Sequence, residues 1–366
     1  MGMSEEIVIE SRSSQESHVV IGHQMLGKWP WPTWLQQDIP VVVVVDPQVE
    51  QYLESLLLTL RTGSRSVTVL SRTITEHDKT LETLAQLYRD FGEHRVTRDT
   101  VIIAVGGGVL TDLTGYAAAS YLRGLRWIAV PTTLLAQVDA AIGGKVAVNT
   151  EFGKNLVGAF HLPEIVAVDT SLLCSLPLRE WRAGLGEVIK SALIAGDALY
   201  EWVKDNREPL GEITPGWSAI IAETAALKAR FVQMDLYEKN ERMFLNFGHT
   251  VGHALENYFG YGTLSHGEAV GLGSLVALRL SERLFALDHA VRDEVKTWLI
   301  RWGLPVKAQP FDPAVLMNIM FQDKKARAFG LQWVLLKDIG RPAVVRNVDK
   351  DLVTEAFNVI QENPKD

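Results

Sequence analysis

Residues 101–112 read VIIAVGGGVLTD, a pattern that predicts a strand, a tight turn and a helix in succession. A mostly β-branched apolar run leads directly into three glycines, and a segment compatible with a helix follows. This order is typical of a nucleotide site, because glycine lets backbone N–H groups approach a pyrophosphate at the positive end of the helix. The third glycine of the G-x-G-x-x-G fingerprint is replaced by Thr111, so a tight turn without a ligand is the alternative.

Apolar runs before and after this stretch predict further strands. They are continuous Val and Ile runs rather than alternating ones, as expected for parallel strands that helices cover on both faces. The predicted strands are residues 41–45, 66–70, 101–105, 127–130 and 165–168. Helical spacing at residues 49–61 and 81–91 makes the order β-α-β-α. We therefore predict an α/β nucleotide-binding domain with a parallel, Rossmann-like sheet over residues 1–177.

The second half of the chain has a different pattern. Apolar residues at helical spacing predict long helices at residues 180–204, 217–235, 250–258, 267–284 and 291–302. A hairpin is expected at residues 331–336 and 343–346. We predict an all-α domain over residues 178–366, apart from this hairpin, and a site in the cleft between the domains.

Composition excludes several classes of protein. The chain has 366 residues, and 36 basic against 44 acidic side chains give a net charge of −8, which disfavours nucleic acid and anionic membranes as partners. The first residues are acidic and polar, unlike a signal peptide, and no apolar run is long enough to span a bilayer. One cysteine, Cys174, permits no internal disulfide. We expect a cytoplasmic protein.

Polar residues follow two other predicted strands. Thr132 and Thr133 come after residues 127–130, and Asp46 comes directly after residues 41–45. Ligands bind outside the carboxyl ends of parallel strands, where an acid often holds a ribose hydroxyl. The alternative for Asp46 is that it caps the next helix.

Three histidines and one glutamate form a candidate metal site. His249 and His253 are four residues apart and share a helical face, and His266 begins another predicted helix. Glu187 lies in an otherwise apolar helix, where an uncompensated carboxylate would be costly. Two histidines at this spacing are often incidental, but one glutamate with two histidines matches a catalytic zinc site with an open position.

Basic residues collect beside these motifs rather than on polar helix faces. Lysines on a surface usually serve only solubility, but a cluster in an acidic protein concentrates positive potential, as a small phosphate- and carboxylate-bearing substrate requires. The cluster comprises Lys145, Lys154, Lys190, Lys228, Arg242, Lys324 and Lys325.

Eight motifs, in this order and spacing, resemble those of 3-dehydroquinate synthase, a sugar-phosphate cyclase. They are GGGVLTD (106–112), YLRG (121–124), VPTTLLAQVDAAIGGKVAVN (130–149), GKNLVGAF (153–160), GEVIK (186–190), RMFLNFGHTVGHALE (242–256), HGEAV (266–270) and DKK (323–325). The resemblance runs from about residue 40 to about residue 340. The sequence departs from the family at Thr111 and Gly186, usually Gly and Ala, and at Val146 and Ala147, usually Thr-Gly.

The resemblance implies a dehydroquinate synthase-like fold and a lyase that needs NAD and zinc, for which cobalt can substitute. The family converts 3-deoxy-D-arabino-heptulosonate 7-phosphate to 3-dehydroquinate and phosphate, the second step of the shikimate pathway to aromatic amino acids. NAD takes a hydride, phosphate leaves by elimination, NADH returns the hydride, and the opened ring closes by an aldol step. No net oxidation occurs.

The resemblance also assigns roles to matching residues. The implied metal ligands are Glu187, His249 and His266. The implied NAD contacts are Asp46, Glu76, Lys79, Gly107, Gly108, Asp112, Thr132, Thr133, Asp139, Lys145 and Lys154. The implied substrate contacts are Arg123, Lys145, Asn155, Lys190, Lys228, Arg242, Asn246, His253 and Lys325. The implied catalytic residues are His253, Lys145, Lys190, Arg242 and Asn246.

Three alternatives stay open at this point: a cyclase for another sugar phosphate, a metal-dependent polyol dehydrogenase that releases NADH, and a non-catalytic binding protein. Intact Glu187, His249, His253 and His266 argue against the last. We also expect a homodimer in which Arg123 reaches the partner's site, since it follows a helix that begins at the glycine turn and ends on the other side of the sheet.

Overall fold

The computed structural model of the chain describes residues 16–28, 31, 35, 38–63, 66–260, 262–322 and 331–361. The strands in these residues are β1 (His18–Gly22), β2 (Val41–Val45), β3 (Val67–Ser71), β4 (Val101–Gly106), β5 (Arg126–Pro131), β6 (Lys145–Thr150), β7 (Gly153–Phe160), β8 (Ile165–Asp169), β9 (Gln332–Asp338) and β10 (Arg341–Arg346). The α-helices are α1 (Glu54–Gly63), α2 (Leu81–Glu93), α3 (Gly108–Ser120), α4 (Leu178–Ala195), α5 (Asp197–Asp205), α6 (Pro215–Met234), α7 (His249–Phe259), α8 (His266–Phe285), α9 (His289–Arg301), α10 (Pro313–Gln322) and α11 (Lys350–Phe357).

A parallel sheet forms the first half of the protein. Its strand order is β3-β2-β4-β5-β8-β1. Every residue of β2 and β4 is buried, because helices cover both faces of the sheet. The predicted parallel sheet is confirmed, and each predicted strand lies within one residue of an observed one.

The chain order within this sheet locates a ligand crevice. After β2 the chain adds β3 on one side, and it then returns to place β4 on the other side. The carboxyl ends of β2 and β4 therefore flank a topological switch point, where nucleotides bind in open α/β sheets. Asp46 follows β2, and its N–H donates to Val105 O on β4 over 3.0 Å. Gly107 and α3 follow β4 at the same edge.

Strands β1, β6 and β7 were not predicted. β1 is a half-buried edge strand beside β8, and its short sequence carries little pattern. β6 and β7 form an antiparallel hairpin over α3, which the sequence disguises with glycines and polar residues. Positive φ angles at Gly143 and Gly144 turn the chain into this hairpin. The segment that carries Lys145, Lys154 and Asn155, for which no helix or strand was predicted, is therefore a hairpin.

The second half of the chain is helical, as predicted. α8 is 20 residues long and mostly buried, and it packs against α4, α7 and β9. The predicted hairpin is present as β9 and β10, which pair antiparallel. α10 and α11 were not predicted.

One predicted helix, residues 180–204, is wrong in its continuity. The structure divides it into α4 and α5 at Gly196, where φ is +66°. The turn of the β9–β10 hairpin docks there, since Gly340 N–H donates to Leu193 O over 3.0 Å. This long-range contact takes one of the carbonyls at the end of α4, and it has no signal in local periodicity.

The two halves share an apolar core. One cluster of buried side chains runs from Val42 on the sheet, through Val138 and Leu185, to Phe357 on α11. Helix α4 begins at Leu178, where we place the start of the second domain, but the division at residues 177 and 178 stays a prediction. Among the described residues, no helix has both the length and the apolar composition needed to cross a bilayer.

Candidate active site

Glu187, His249 and His266 converge where three helices meet. Glu187 lies within α4, while His249 and His266 are the first residues of α7 and α8. Glu187 Oε1 lies 3.4 Å from His249 Nε2 and 3.3 Å from His266 Nε2. The ligating atoms of all three side chains lie within 4.8 Å of one another. The structure therefore brings the three predicted metal ligands together.

These residues fit a divalent cation. The Glu187 side chain is 1% exposed, and its Oε2 accepts a hydrogen bond from Lys190 Nζ. Its Oε1 has no hydrogen-bond partner among the described residues, although it is buried and faces two imidazole nitrogens. An unpartnered buried carboxylate oxygen is costly, and one glutamate with two histidines is a ligand set of catalytic zinc sites.

The charges around the cluster shift its pKa values in different directions. Burial opposes ionisation of Glu187, but the charge of Lys190 and the contacts with His249 and His266 outweigh it and hold the pKa of Glu187 well below its usual range. Burial lowers the pKa of His249 well below its usual value, which keeps this imidazole neutral and able to bind a metal. Burial also lowers the pKa of His266, but the flanking carboxylates of Glu187 and Glu256 outweigh it and raise this pKa to about 10.

Other groups orient the two imidazoles. His249 Nδ1 lies 3.1 Å from Phe247 O, and a carbonyl can only accept, so Nδ1 carries the proton and Nε2 is left to bind. His266 Nδ1 lies 3.5 Å from Glu256 Oε2. Contacts of this type fix the tautomer and orientation of histidines that bind metals.

Close backbone contact between α4 and α8 sets Glu187 beside His266. A Cβ atom on Gly267 would lie 2.3 Å from Ala183 O, and one on Gly186 would lie 2.4 Å from Gly267 Cα. Any side chain there would separate the helices that carry the two ligands.

We expect Gly267→Ala to lower both stability and metal affinity. The added methyl meets backbone rather than a movable side chain, so overpacking should cost about 1–3 kcal/mol and shift His266 from Glu187. Thermal unfolding of the metal-free protein and competition with a chelator measure the two effects. Gly92→Ala in α2 is the control, because its Cβ would meet nothing nearer than 4.0 Å. Unchanged metal affinity in Gly267→Ala would contradict this interpretation.

Two buried cationic side chains of the helical half are held in place, one by a carboxylate and one by a backbone carbonyl. Lys228 Nζ donates to Asp139 Oδ1 over 2.5 Å, and burial lowers the pKa of Lys228 although Asp139 opposes the shift. Arg242 is 2% exposed, and its guanidinium donates to Leu236 O over 2.6 Å. The structure thus joins Asp139 from the sheet half to Lys228 from the helical half.

Glu238 is a residue of this region that the sequence did not indicate. Its carboxylate contacts Lys145 Nζ and accepts a hydrogen bond from Asn246 Nδ2 over 2.6 Å. Lys145 belongs to β6 and Asn246 precedes α7, so Glu238 joins two predicted substrate contacts from different halves. Its φ of +56° follows from the fold of the loop, which no local motif signals.

Several predicted NAD contacts lie along the carboxyl edge of the sheet, at the switch point or beside it. Thr132 N–H donates to Gly106 O over 3.0 Å, which sets β5 and its threonines beside the glycine turn. Asp46 Oδ1 accepts from Gln48 N–H over 3.0 Å, and Thr133 Oγ1 accepts from Ala136 N–H over 3.2 Å. Asp46 therefore also makes the local capping contact that was the alternative predicted for it, and Thr133 makes a similar contact that was not predicted.

A second group of predicted NAD contacts forms a network. Lys79, 3% exposed, donates to Asp112 Oδ2 and to Asn155 Oδ1, each over 2.6 Å. Burial raises the pKa of Asp112, and the charge of Lys79 partly offsets this shift. Lys154 Nζ lies 3.4 Å from Glu76 Oε1. The network thus joins predicted NAD contacts to Asn155, a predicted substrate contact.

His253 lies beside the metal cluster, whereas Arg123 does not. The His253 ring centroid lies 5.1 Å from that of His249 and 5.9 Å from that of His266. Arg123 instead lines a cavity of about 580 Å³ with His18, Arg126 and Glu164, at the amino ends of β1, β5 and β8. Lys324 and Lys325 lie outside the described residues.

Comparisons with known proteins agree with this geometry. The family model described as 3-dehydroquinate synthase N-terminal matches residues 69–183, and the one described as 3-dehydroquinate synthase C-terminal matches residues 184–326. The 3-dehydroquinate synthases of Bacillus cytotoxicus and Bacillus cereus are 43% and 42% identical over 285 residues. This alignment covers 77% of this chain, and 77% and 78% of theirs.

Two solved structures share the fold. A 2-deoxy-scyllo-inosose synthase complexed with carbaglucose-6-phosphate, NAD+ and Co2+ has a TM-score of 0.82 and 27% identity, covering 93% of this chain and 95% of its own. A 2-epi-5-epi-valiolone synthase from Streptomyces hygroscopicus with NAD+ and Zn2+ has a TM-score of 0.86 and 24% identity, covering 96% and 98%.

Fold and site together define a protein of the sugar-phosphate cyclase type, with a nucleotide crevice on a parallel sheet and a metal-ligand cluster on the helices behind it. Within that class, the chain belongs to the 3-dehydroquinate synthase family.

Proposed function

We propose that this protein converts 3-deoxy-D-arabino-heptulosonate 7-phosphate to 3-dehydroquinate and phosphate, with NAD and a divalent cation, zinc in preference and cobalt as a substitute. The observation that carries the proposal is the unpartnered, buried Glu187 Oε1 facing two imidazoles in a member of this family. The reaction is a lyase reaction, and we place the protein in the cytoplasm.

The two cofactors divide the chemistry. Glu187, His249 and His266 would hold a divalent cation, which would supply a Lewis acid able to polarise substrate hydroxyls. The residues at the switch point would hold NAD, which would supply a hydride acceptor and donor, so that the overall reaction would be redox-neutral. The remaining work of the chain is to position an anionic substrate and to stabilise its developing charge.

Two buried lysines are placed to bind the substrate beside the metal ligands and the NAD crevice. Lys190 and Lys228 are buried and partnered by carboxylates, so their ammonium groups are fixed in place before a ligand arrives. We assign the substrate carboxylate and hydroxyls to these two lysines and to Asn246. A fixed charge in a partly dry site stabilises an anion more than a solvated one does.

The phosphate of the substrate is assigned to Lys145, Asn155, Arg242 and Lys325. Lys145 and Asn246 now share the carboxylate of Glu238, so an anionic substrate group would take the place of that carboxylate. His253 is assigned to proton transfer near the leaving phosphate, because its ring lies within 6 Å of both metal-ligand histidines. Elimination then breaks the carbon–oxygen bond to phosphate and removes a proton from the neighbouring carbon.

The experiment that tests this function measures phosphate and NADH together. With much less NAD than substrate, we expect phosphate to be released to completion while NADH absorbance does not accumulate. NADH and phosphate formed in equal amounts, or NADH formed from a simple polyol, would instead favour a dehydrogenase. Glucose 6-phosphate serves as the control substrate, because a related cyclase is complexed with carbaglucose-6-phosphate. Faster turnover of glucose 6-phosphate would contradict the proposed substrate.

A further inference from the structure

Asn149 occupies an irregular position in the β6–β7 hairpin. Val148 pairs with Val157 and Thr150 pairs with Gly153, so the single residue Asn149 faces residues 154–156 on β7. Such a bulge bends one strand and re-aims its side chains, and bulges are frequent beside active sites. The residues displaced here include Lys154 and Asn155, which we assign to NAD and to the substrate.

On one side, Asn149 holds the turn that carries Glu76 and Lys79. Its backbone N–H donates to Lys79 O over 2.7 Å, and its Nδ2 donates to Glu76 Oε1 over 2.8 Å. This turn is assigned to NAD. Asn149 thus fixes both its backbone and one of its carboxylates.

On the other side, Asn149 holds Asn155. Its Oδ1 accepts a hydrogen bond from Asn155 N–H over 3.0 Å, and Asn155 has a φ of +55°. Asparagine adopts this left-handed conformation more readily than most residues, and the hydrogen bond from Asn155 N–H to Asn149 fixes it here. The Asn155 side chain then accepts from Lys79 Nζ, which closes the network through the same lysine.

We propose that Asn149 is a positioning residue that couples NAD binding to substrate binding. NAD bound at the Glu76–Lys79 turn fixes the position of that turn. The hydrogen bonds of Asn149 then restrain Asn155 on the phosphate side. Coupling between two ligands is reciprocal, so each one tightens the binding of the other. This inference rests on the proposed function, because that function assigns NAD to the turn and phosphate to Asn155.

The test titrates inorganic phosphate into the zinc-loaded full chain, with and without saturating NAD, by calorimetry. In the wild type we expect NAD to tighten phosphate binding at least about fivefold. In Asn149→Ala the ratio of the two affinities should fall to within about twofold of unity. A merely structural role would weaken both affinities and leave their ratio unchanged.

Two further variants sharpen the result. Asn149→Asp keeps an acceptor for Asn155 N–H but replaces the donor to Glu76 with a second carboxylate, which repels it. This variant should therefore lose the coupling while the hairpin persists. Thr150→Ala is the matched control, because Thr150 Oγ1 contacts only the hairpin turn at Phe152 and Gly153 in the contacts described, and it should keep the wild-type ratio.

A wild-type ratio near unity would overturn the proposal, as would an unchanged ratio in both Asn149 variants. Neither outcome touches the proposed function, which depends on phosphate release from the heptulosonate phosphate by the wild type.

Discussion

His249→Ala is expected to lose its bound metal and to retain no measurable turnover. His249 is one of three ligands, and its Nε2 lies 3.4 Å from the buried Glu187 Oε1 that needs a cation. Changes in groups that only orient a ligand weaken metal binding by about 10–100-fold, so loss of a ligand should exceed that range. Metal content after gel filtration and competition with a chelator measure the loss.

The matched control for this variant is His289→Ala. His289 also begins a helix, α9, but its side chain is 78% exposed and pairs only with the neighbouring Asp288 among the ion pairs described. It should keep full metal content and turnover. If metal-free His249→Ala turned over substrate at the wild-type rate, the reaction would not need the metal, and this prediction would be wrong. In the wild type, a chelator should abolish activity, and zinc or cobalt should restore it.

The sheet could be predicted from the sequence because its signal is local. Five consecutive valines at β2 are all buried, and the same holds for the apolar run of β4. The break at Gly196 and the β6–β7 hairpin could not be predicted, because distant residues determine them. Gly340 meets the end of α4 from about 140 residues away, and α3 supports the hairpin.

The candidate site divides in the same way. Glu187, His249 and His266 could be predicted because an acid in an apolar helix and a histidine pair are unusual locally. Glu238 and Asn149 could not, since each acts through partners that only the fold brings near. The assignment of each residue to NAD, substrate or proton transfer stays a prediction.

Arg123 is the predicted substrate contact that the structure places far from the metal cluster. Helix α3 has 13 residues, so it carries the chain about 20 Å from the glycine turn, much further than an arginine side chain extends. Positive φ angles at Leu122, Arg123 and Gly124 hold the loop at the opposite edge of the sheet. We infer that the active unit is a homodimer and that Arg123 serves the partner's site.

Mixing two inactive variants tests this inference. When Arg123→Ala and His249→Ala exchange subunits at random, half of the dimers are mixed, and each mixed dimer has one intact site if Arg123 acts on the partner. Activity should therefore return to about a quarter of that of the wild type. Arg126→Ala is the control, because Arg126 lines the same cavity but pairs with Glu164 over 3.2 Å, and alone it should stay close to wild-type activity. If Arg123 acts within its own subunit, every site keeps a lesion, so no recovery after confirmed exchange would exclude a shared site.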